Sequence, residues 1–458
     1  MAAKRSTKSK IQGYLPNETP PPVQLILLGF QHVLTMFPAT VFVAIFSGFQ
    51  VSVVLLMAGV STIVALTLSK AGIGKFIPLF YGSSFSYIAA YGTVAAAMGS
   101  THVPFGAPLE PEVISTIQAG ILVTGLLNIL VGFLVRAIGK KAIDRVLPPI
   151  VTGSVAAIIG FGLAYAAVGN LASNNWTIAF STLLLTILFS VYLQKRGFIG
   201  MIPVLLGGIA GYALTLILFP GSIALADAPW FALPAITFPT FSGPFVGTAV
   251  FAVSIMAIAT IPESTAHLYQ VSLYVDRFAD ERKAKRYELD KHIGFNLILD
   301  GVGDFLHGLF GATAGTNYGE NNSLMAITRN YSGPAIVAAG VFSILLAFVG
   351  KLAAVVQSVP LAVSGGLAIY LFGAIGMQGI ALMQENKVSM FDPKNLAIGA
   401  TIMVVGIGGN IGYPNGLLPI VIPGMFPSGL PAIATAAVMG ILLNAIFVIF
   451  NPDGKKSS

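Results

Sequence analysis

The sequence predicts an all-α polytopic membrane protein of fourteen transmembrane segments, built as two inverted halves of seven. Three observations carry that reading: the composition, the one-sided placement of positive charge, and motifs that recur in both halves. Of 458 residues, 55% are hydrophobic and 9% charged, against about 25% charged in a soluble domain, and the mean hydropathy is +0.86. A helix needs about 20 apolar residues to cross a bilayer, so the chain has length for a dozen or more spans and a soluble fold is excluded. The chain has no cysteine, which excludes disulfide and thiolate chemistry and leaves the redox compartment open.

Apolar runs fall at 24–47, 50–69, 76–97, 113–135, 147–168, 177–193, 199–219, 244–272, 293–311, 314–329, 334–356, 360–382, 395–411 and 430–450. The first is too long for the apolar core of a signal peptide and reads as a retained span. With the N-terminus inside and the spans alternating, every Lys and Arg lies on the inner side except Lys351, which falls within the eleventh run. The predicted outer loops hold Glu110, Glu112 and Asp227 and no basic residue. Both termini are therefore expected in the cytoplasm, across the cell (inner) membrane. The net charge of +7 then reports orientation rather than a nucleic-acid partner. Lys351 is expected to snorkel to the outer surface. The stretch 276–291 mixes both signs and reads as a solvated connector at mid-chain.

The repeat is short but positioned alike in each half. Tyr81-Gly82 in the third run matches Tyr318-Gly319 in the tenth, and Pro148-Pro-Ile-Val-Thr-Gly153 in the fifth matches Pro360-Leu-Ala-Val-Ser-Gly365 in the twelfth. Halves with an odd number of spans must be inverted, the arrangement of secondary transporters whose sites lie at broken helices near the midplane. Runs three and ten are poor continuous helices; the tenth crowds Thr313, Thr316, Asn317, Glu320, Asn321, Asn322 and Ser323 around two glycines. Irregular backbone at membrane depth survives only where protein or a cavity satisfies it. Each run is therefore read as an extended segment that turns at Gly and opens a half-helix, whose free N–H groups face a site.

The ionisable residues at membrane depth are His32, Glu263, His267, Asp300, Asp304, His307, Glu320 and Lys351, and such residues default to functional hypotheses. Glu263 and His267 are spaced i, i+4 and share a helix face, where they can bond or exchange a proton. Glu320 opens the tenth half-helix, where a carboxylate suits the helix dipole. His32 reads as a supporting partner or a packed polar residue, and Asp300, Asp304 and His307 as lining groups, with Asp300 and Asp304 equally able to face partner helices. Two carboxylates, a histidine and exposed backbone donors suit a flat neutral heterocycle with alternating N–H and C=O edges, with Phe85 offering a ring face.

At these residues the sequence resembles the nucleobase-ascorbate transporter family. Gly29-Phe-Gln-His32 is similar to its first-helix element, Tyr81-Gly-Ser-Ser-Phe85 to its third-helix motif, and Glu263 with His267 to its eighth-helix acidic motif. Glu320-Asn-Asn-Ser-Leu-Met-Ala-Ile-Thr-Arg329 is similar to its ten-residue signature, departing at Ser323, where the family has Gly. That departure is expected to narrow a close backbone approach. The resemblance implies short antiparallel strands in segments 3 and 10, a core domain (24–137 and 242–357, segments 1–4 and 8–11), a gate domain (138–241 and 358–450, segments 5–7 and 12–14), tails at 1–23 and 451–458, and a homodimer in the lipid bilayer. It implies substrate contacts from Glu263, Glu320, Gly319, Phe85, Ser84 and Tyr318, and proton coupling through Glu263, His267 and His32. No cofactor or metal is expected, only the proton as coupling ion. Glu at 320 resembles the uracil branch, with xanthine or another purine base as the alternative cargo. An anion exchanger of the same architecture is opposed by Glu320 at the half-helix start, and an intramembrane hydrolase by the lack of a nucleophile or metal-ligand set beside Glu263. A passive channel would differ in failing to accumulate its solute.

Overall fold

In a computed structural model, residues 13–100, 108–139, 145–194, 196–423 and 425–450 are described. Lys4, Arg5, Lys8 and Lys10 of the expected N-terminal tail, and the expected C-terminal tail 451–458, lie outside the described residues. The chain folds as helices because its apolar runs are long and, apart from Pro38 and Pro262, proline at the helices falls where it is tolerated, in the first turn. The first half comprises α1 (Pro22–Ser47), α2 (Val51–Ile73), β1 (Tyr81–Ser83), a 3₁₀ turn (Phe85–Tyr87) leading into α3 (Ile88–Ala97), α4 (Pro111–Ile138), α5 (Pro149–Gly162), α6 (Trp176–Tyr192) and α7 (Pro203–Leu218). Proline opens α1, α4, α5 and α7. The second half comprises α8 (Val246–Ser254), α9 (Ala257–Glu281), α10 (Ile293–Phe310), β2 (Gly315–Asn317), α11 (Gly319–Thr328), α12 (Gly333–Ala347), α13 (Gly350–Gln357), α14 (Leu361–Glu385), α15 (Pro393–Met403), the two-residue strands β3 (Leu417–Leu418) and β4 (Leu430–Pro431), and α16 (Ala432–Ile449).

Among the described residues, 8 helical stretches are long and apolar enough to cross a membrane, and shorter apolar helices cover Phe85–Ala97, Trp176–Tyr192, Pro203–Leu218 and Gly333–Ala347. Three boundaries differ from the sequence reading. The eighth run is two helices, and the second continues to Glu281, so the start of the expected connector is helical. The rest of that connector is tied down: Asp276 accepts from the Tyr287 N–H at 2.6 Å and the Glu288 N–H at 3.1 Å. Arg286 grips Asp280 through two nitrogens, holding that carboxyl below its usual range. The eleventh run breaks after Ala347, and Lys351 belongs to the separate short helix α13, with its ammonium 5.2 Å from the centre of the Trp230 ring.

The helices pack in two sets. In one, α12 lies along α1 and α2, and α10 along α2 and α4; in the other, α14 lies along α5 and α6, and α15 along α5 and α16. Glycine makes the tight crossings possible, because lipid gives helices little apolar drive to associate and close backbone contact substitutes for it. A Cβ at Gly125 of α4 would lie 2.7 Å from the Gly301 carbonyl oxygen of α10, and one at Gly379 of α14 would lie 2.5 Å from that of Gly153 in α5.

Candidate functional site

The two broken segments meet as an antiparallel strand pair, with Tyr81 opposite Asn317, Gly82 opposite Thr316 and Ser83 opposite Gly315. The pairing is extended by Tyr318 N–H donating to the Phe80 carbonyl at 2.9 Å and Ser84 N–H to the Ala314 carbonyl at 3.1 Å. The antiparallel strands implied for segments 3 and 10 are therefore present, and they close each other's backbone bonds at membrane depth. Beyond them the chain turns into two half-helices. Ser84 caps its own turn, accepting from the Ser86 N–H at 3.3 Å, whereas α11 starts with no side-chain cap. The first N–H groups of α11 are thus available to a ligand.

Behind the strands lies a buried polar layer. Asp304 accepts from the Gly315 N–H at 2.6 Å and from Asn128 Nδ2 at 3.0 Å. His307 contacts the Thr313 carbonyl at 2.7 Å and Ser61 Oγ at 3.0 Å. Asp300 accepts from Ser264 Oγ, which itself accepts from Asn296 Nδ2 and Asn317 Nδ2, each at 2.7 Å. Asp300 and Asp304 are committed to holding the strand pair, the helix-packing alternative of the sequence reading, and His307, expected as a lining group, is committed with them.

In front of the strands a cavity of about 540 Å³ separates the two helix sets, a size within the range of small-molecule sites. One wall carries Ser84, Phe85, Glu263, His267, Tyr318, Gly319 and Glu320. Glu263 is half-buried and Glu320 exposed to the cavity. Neither carboxylate has a hydrogen bond or ion pair among the described residues, in contrast to Asp300 and Asp304. His267 does not pair with Glu263: its Nδ1 lies 2.9 Å from both the Asn317 carbonyl oxygen and Asn317 Oδ1. Two oxygens at one nitrogen place a proton on Nδ1, with Nε2 on the far side of the ring. That Nε2 would be 2.7 Å from a Cβ at position 319, so Gly319 is small because His267 lies against it.

Two expected residues make contacts away from the cavity. Tyr318 lines the cavity with its ring, but its hydroxyl is bonded to Thr40 Oγ1 at 2.8 Å. His32 does not line the cavity; it is buried, with Nδ1 3.0 Å from Asn321 Nδ2 and its carbonyl 3.1 Å from the same nitrogen. It braces α11 one residue beyond Glu320. Ser323 faces the cavity and donates to the Gly319 carbonyl at 3.2 Å, so it narrows the cavity rather than a backbone crossing.

Other lining residues were not singled out from sequence. Asn317 links His267 to the Ser264–Asp300 layer, and its sequence signal is its place in the polar crowd of the tenth run, before Tyr318-Gly319. Pro38 inside α1 and Pro262 inside α9 both line the cavity, and a proline inside an apolar run was the available signal. The opposite wall is built from Thr152 and Ala156 of α5, Pro203 and Val204 of α7, and Tyr370, Leu371, Ala374, Ile375, Gln378 and Leu382 of α14.

The Permease family profile (Xan_ur_permease) matches residues 23–413. The uracil permease of Escherichia coli (strain K12) is 33% identical over 449 residues, covering 95% of this chain and 94% of that one. The uracil permease of Bacillus subtilis (strain 168) is 32% identical over 448 residues, covering 94% of each. Among solved structures, the transmembrane domain of the cyanobacterial bicarbonate transporter BicA superposes with a TM-score of 0.59 at 15% identity, over 87% of this chain and 98% of that one. SLC26A9 does so with a TM-score of 0.65 at 11% identity, over 94% of this chain and 66% of that one; both share the fold. The committed strand layer, the cavity with its two uncommitted carboxylates and the match along nearly the whole length lead to one assignment: the chain belongs to the nucleobase-ascorbate transporter family of permeases.

Proposed function

We propose that this permease imports uracil by proton symport, with alternating access between a core and a gate domain. The observation that carries the proposal is the pair of carboxylates, Glu263 and Glu320, that face a common cavity without a hydrogen-bond or ion-pair partner among the described residues. Carboxylates accept from ring N–H groups, the uncapped start of α11 donates to ring carbonyls, and Phe85 covers a ring face. The relatives described as uracil permeases favour uracil over purines as cargo. Glu263 takes the coupling proton, His267 tunes it from the next helical turn, and His32 acts through Asn321 as a positioning residue.

The same proposal includes fourteen spans in a seven-plus-seven inverted repeat with both termini cytoplasmic. Its support is the packing: α2 on α12 and α10 on α4 are exchanged by such a repeat, as are the cavity prolines of α1 and α9, while α5 on α14 maps onto itself. Core (24–137, 242–357) and gate (138–241, 358–450) then correspond to the two packed sets with the cavity between them. The cavity runs along α14 to Leu382, near the end that carries Lys387, which favours an inward-open state. The homodimer is proposed from the family resemblance. Competition of labelled-uracil uptake by a panel of bases in proteoliposomes tests the cargo: uracil should compete best, and preferential competition by xanthine would replace it with a purine.

A further inference from the structure

We infer that Gln378 reads the base from the wall opposite the carboxylates, its side-chain amide pairing with one N–H/C=O edge of the ring when α14 closes on it. The inference rests on the nucleobase reading of the cavity and adds a specificity residue on the other helix set. α14 turns Leu371, Ala374, Ile375, Gln378 and Leu382 to the cavity, the three- and four-residue spacing of one helix face. Gln378 is the only one of them with a polar end. The other polar side chains of this wall are occupied: the Tyr370 hydroxyl meets Ser190 Oγ at 2.6 Å and Thr152 Oγ1 reaches the Pro148 carbonyl at 3.5 Å. The Gln378 amide is exposed and has no hydrogen-bond partner among the described residues.

Its chemistry completes what the facing wall lacks. Carboxylates only accept and backbone N–H groups only donate, whereas a primary amide does both in one plane, the pattern of a lactam edge. The close crossing of Gly379 against Gly153 fixes the rotation of α14 beside this residue, since a Cβ there would sit 2.5 Å from a carbonyl oxygen. A site that hydrogen-bonds a polar edge strongly rejects analogues that lack it, because its own groups are left unpaired. Gln378 therefore bears on which bases are carried, and as a neutral group it takes no part in proton coupling.

The test is uptake in proteoliposomes by the wild type, Gln378→Leu and Gln378→Glu, with kcat/KM for uracil compared with that for 1-methyluracil, 3-methyluracil, 2-thiouracil and 4-thiouracil. Gln378→Leu should lower uracil kcat/KM about tenfold, as for one lost hydrogen bond in a closed site, and should shrink the discrimination against at least one analogue by about fivefold or more. Gln378→Glu keeps the shape and the acceptor and loses the donor, so discrimination against a thio analogue should shrink while that against the methyl analogues persists. A purely structural residue would lower all five rates in proportion. All ratios within about twofold of wild type in either folded variant would overturn the role of Gln378. No wild-type uptake of uracil would instead overturn the base assignment on which it rests.

Discussion

Changing Glu320 to Gln separates binding from folding, because the carboxylate is exposed to the cavity and bonded to no described residue. No buried donor is orphaned by the change. The helix-dipole contribution of an acid in the first turn of α11 is about 0.3–1 kcal/mol, so the melting temperature should move by no more than about 2–4 °C. Binding should suffer far more. A carboxylate that accepts from ring N–H groups becomes an amide with one acceptor and a donor that faces a donor. One lost charge-assisted bond costs about 1.5–3 kcal/mol, which at about 1.4 kcal/mol per decade is roughly a 10- to 150-fold rise in Kd. Equilibrium binding of labelled uracil to purified protein, alongside a thermal melt, measures both numbers. A correctly folded variant whose Kd stays within about twofold of wild type would remove Glu320 from the site.

Other consequences follow from the same geometry. Glu263→Gln mimics a permanently protonated carboxyl, so it should lose accumulation driven by a pH gradient whatever its effect on Kd; accumulation that persists would move coupling to another group. Gly319→Ala puts a Cβ 2.7 Å from His267 Nε2, displacing a ring anchored on Asn317, and strain of about 1–3 kcal/mol should weaken binding about tenfold or more; an unchanged Kd would show that the ring is free to move aside. Asp304→Asn offers one acceptor where Gly315 N–H and Asn128 Nδ2 each use an oxygen, so it should lose about 1–3 kcal/mol of stability and melt several degrees lower, the reverse of Glu320→Gln.

The sequence was most legible where chemistry conflicts with the membrane. Tyr-Gly beside a cluster of Asn and Thr cannot continue a lipid-facing helix, and the reading of extended segments followed by half-helices matches β1 and β2 with α3 and α11. Charge at depth likewise pointed to Glu263 and Glu320. The same cue could not tell these from Asp300 and Asp304, since the difference lies in partners such as Asn128 and Ser264 that only the folded chain brings near. The Glu263–His267 spacing was correct as a shared face, yet His267 turns to Asn317, fifty positions away. The α14 wall was invisible for a related reason: Leu371, Ala374 and Gln378 form an ordinary helix face until α14 comes to lie across the cavity from Glu263 and Glu320. The break after Ala347 was hidden because α13 continues the eleventh run without a charged or proline boundary before Lys351.

Coupled transport of uracil is read from the level of labelled uracil in sealed proteoliposomes under an imposed pH gradient, acid outside. Coupling predicts a transient internal concentration above the external one, abolished by a protonophore and absent in the Glu263→Gln variant. Equilibration to the external concentration and no further, with or without the gradient, would rule out coupling and identify a passive pathway.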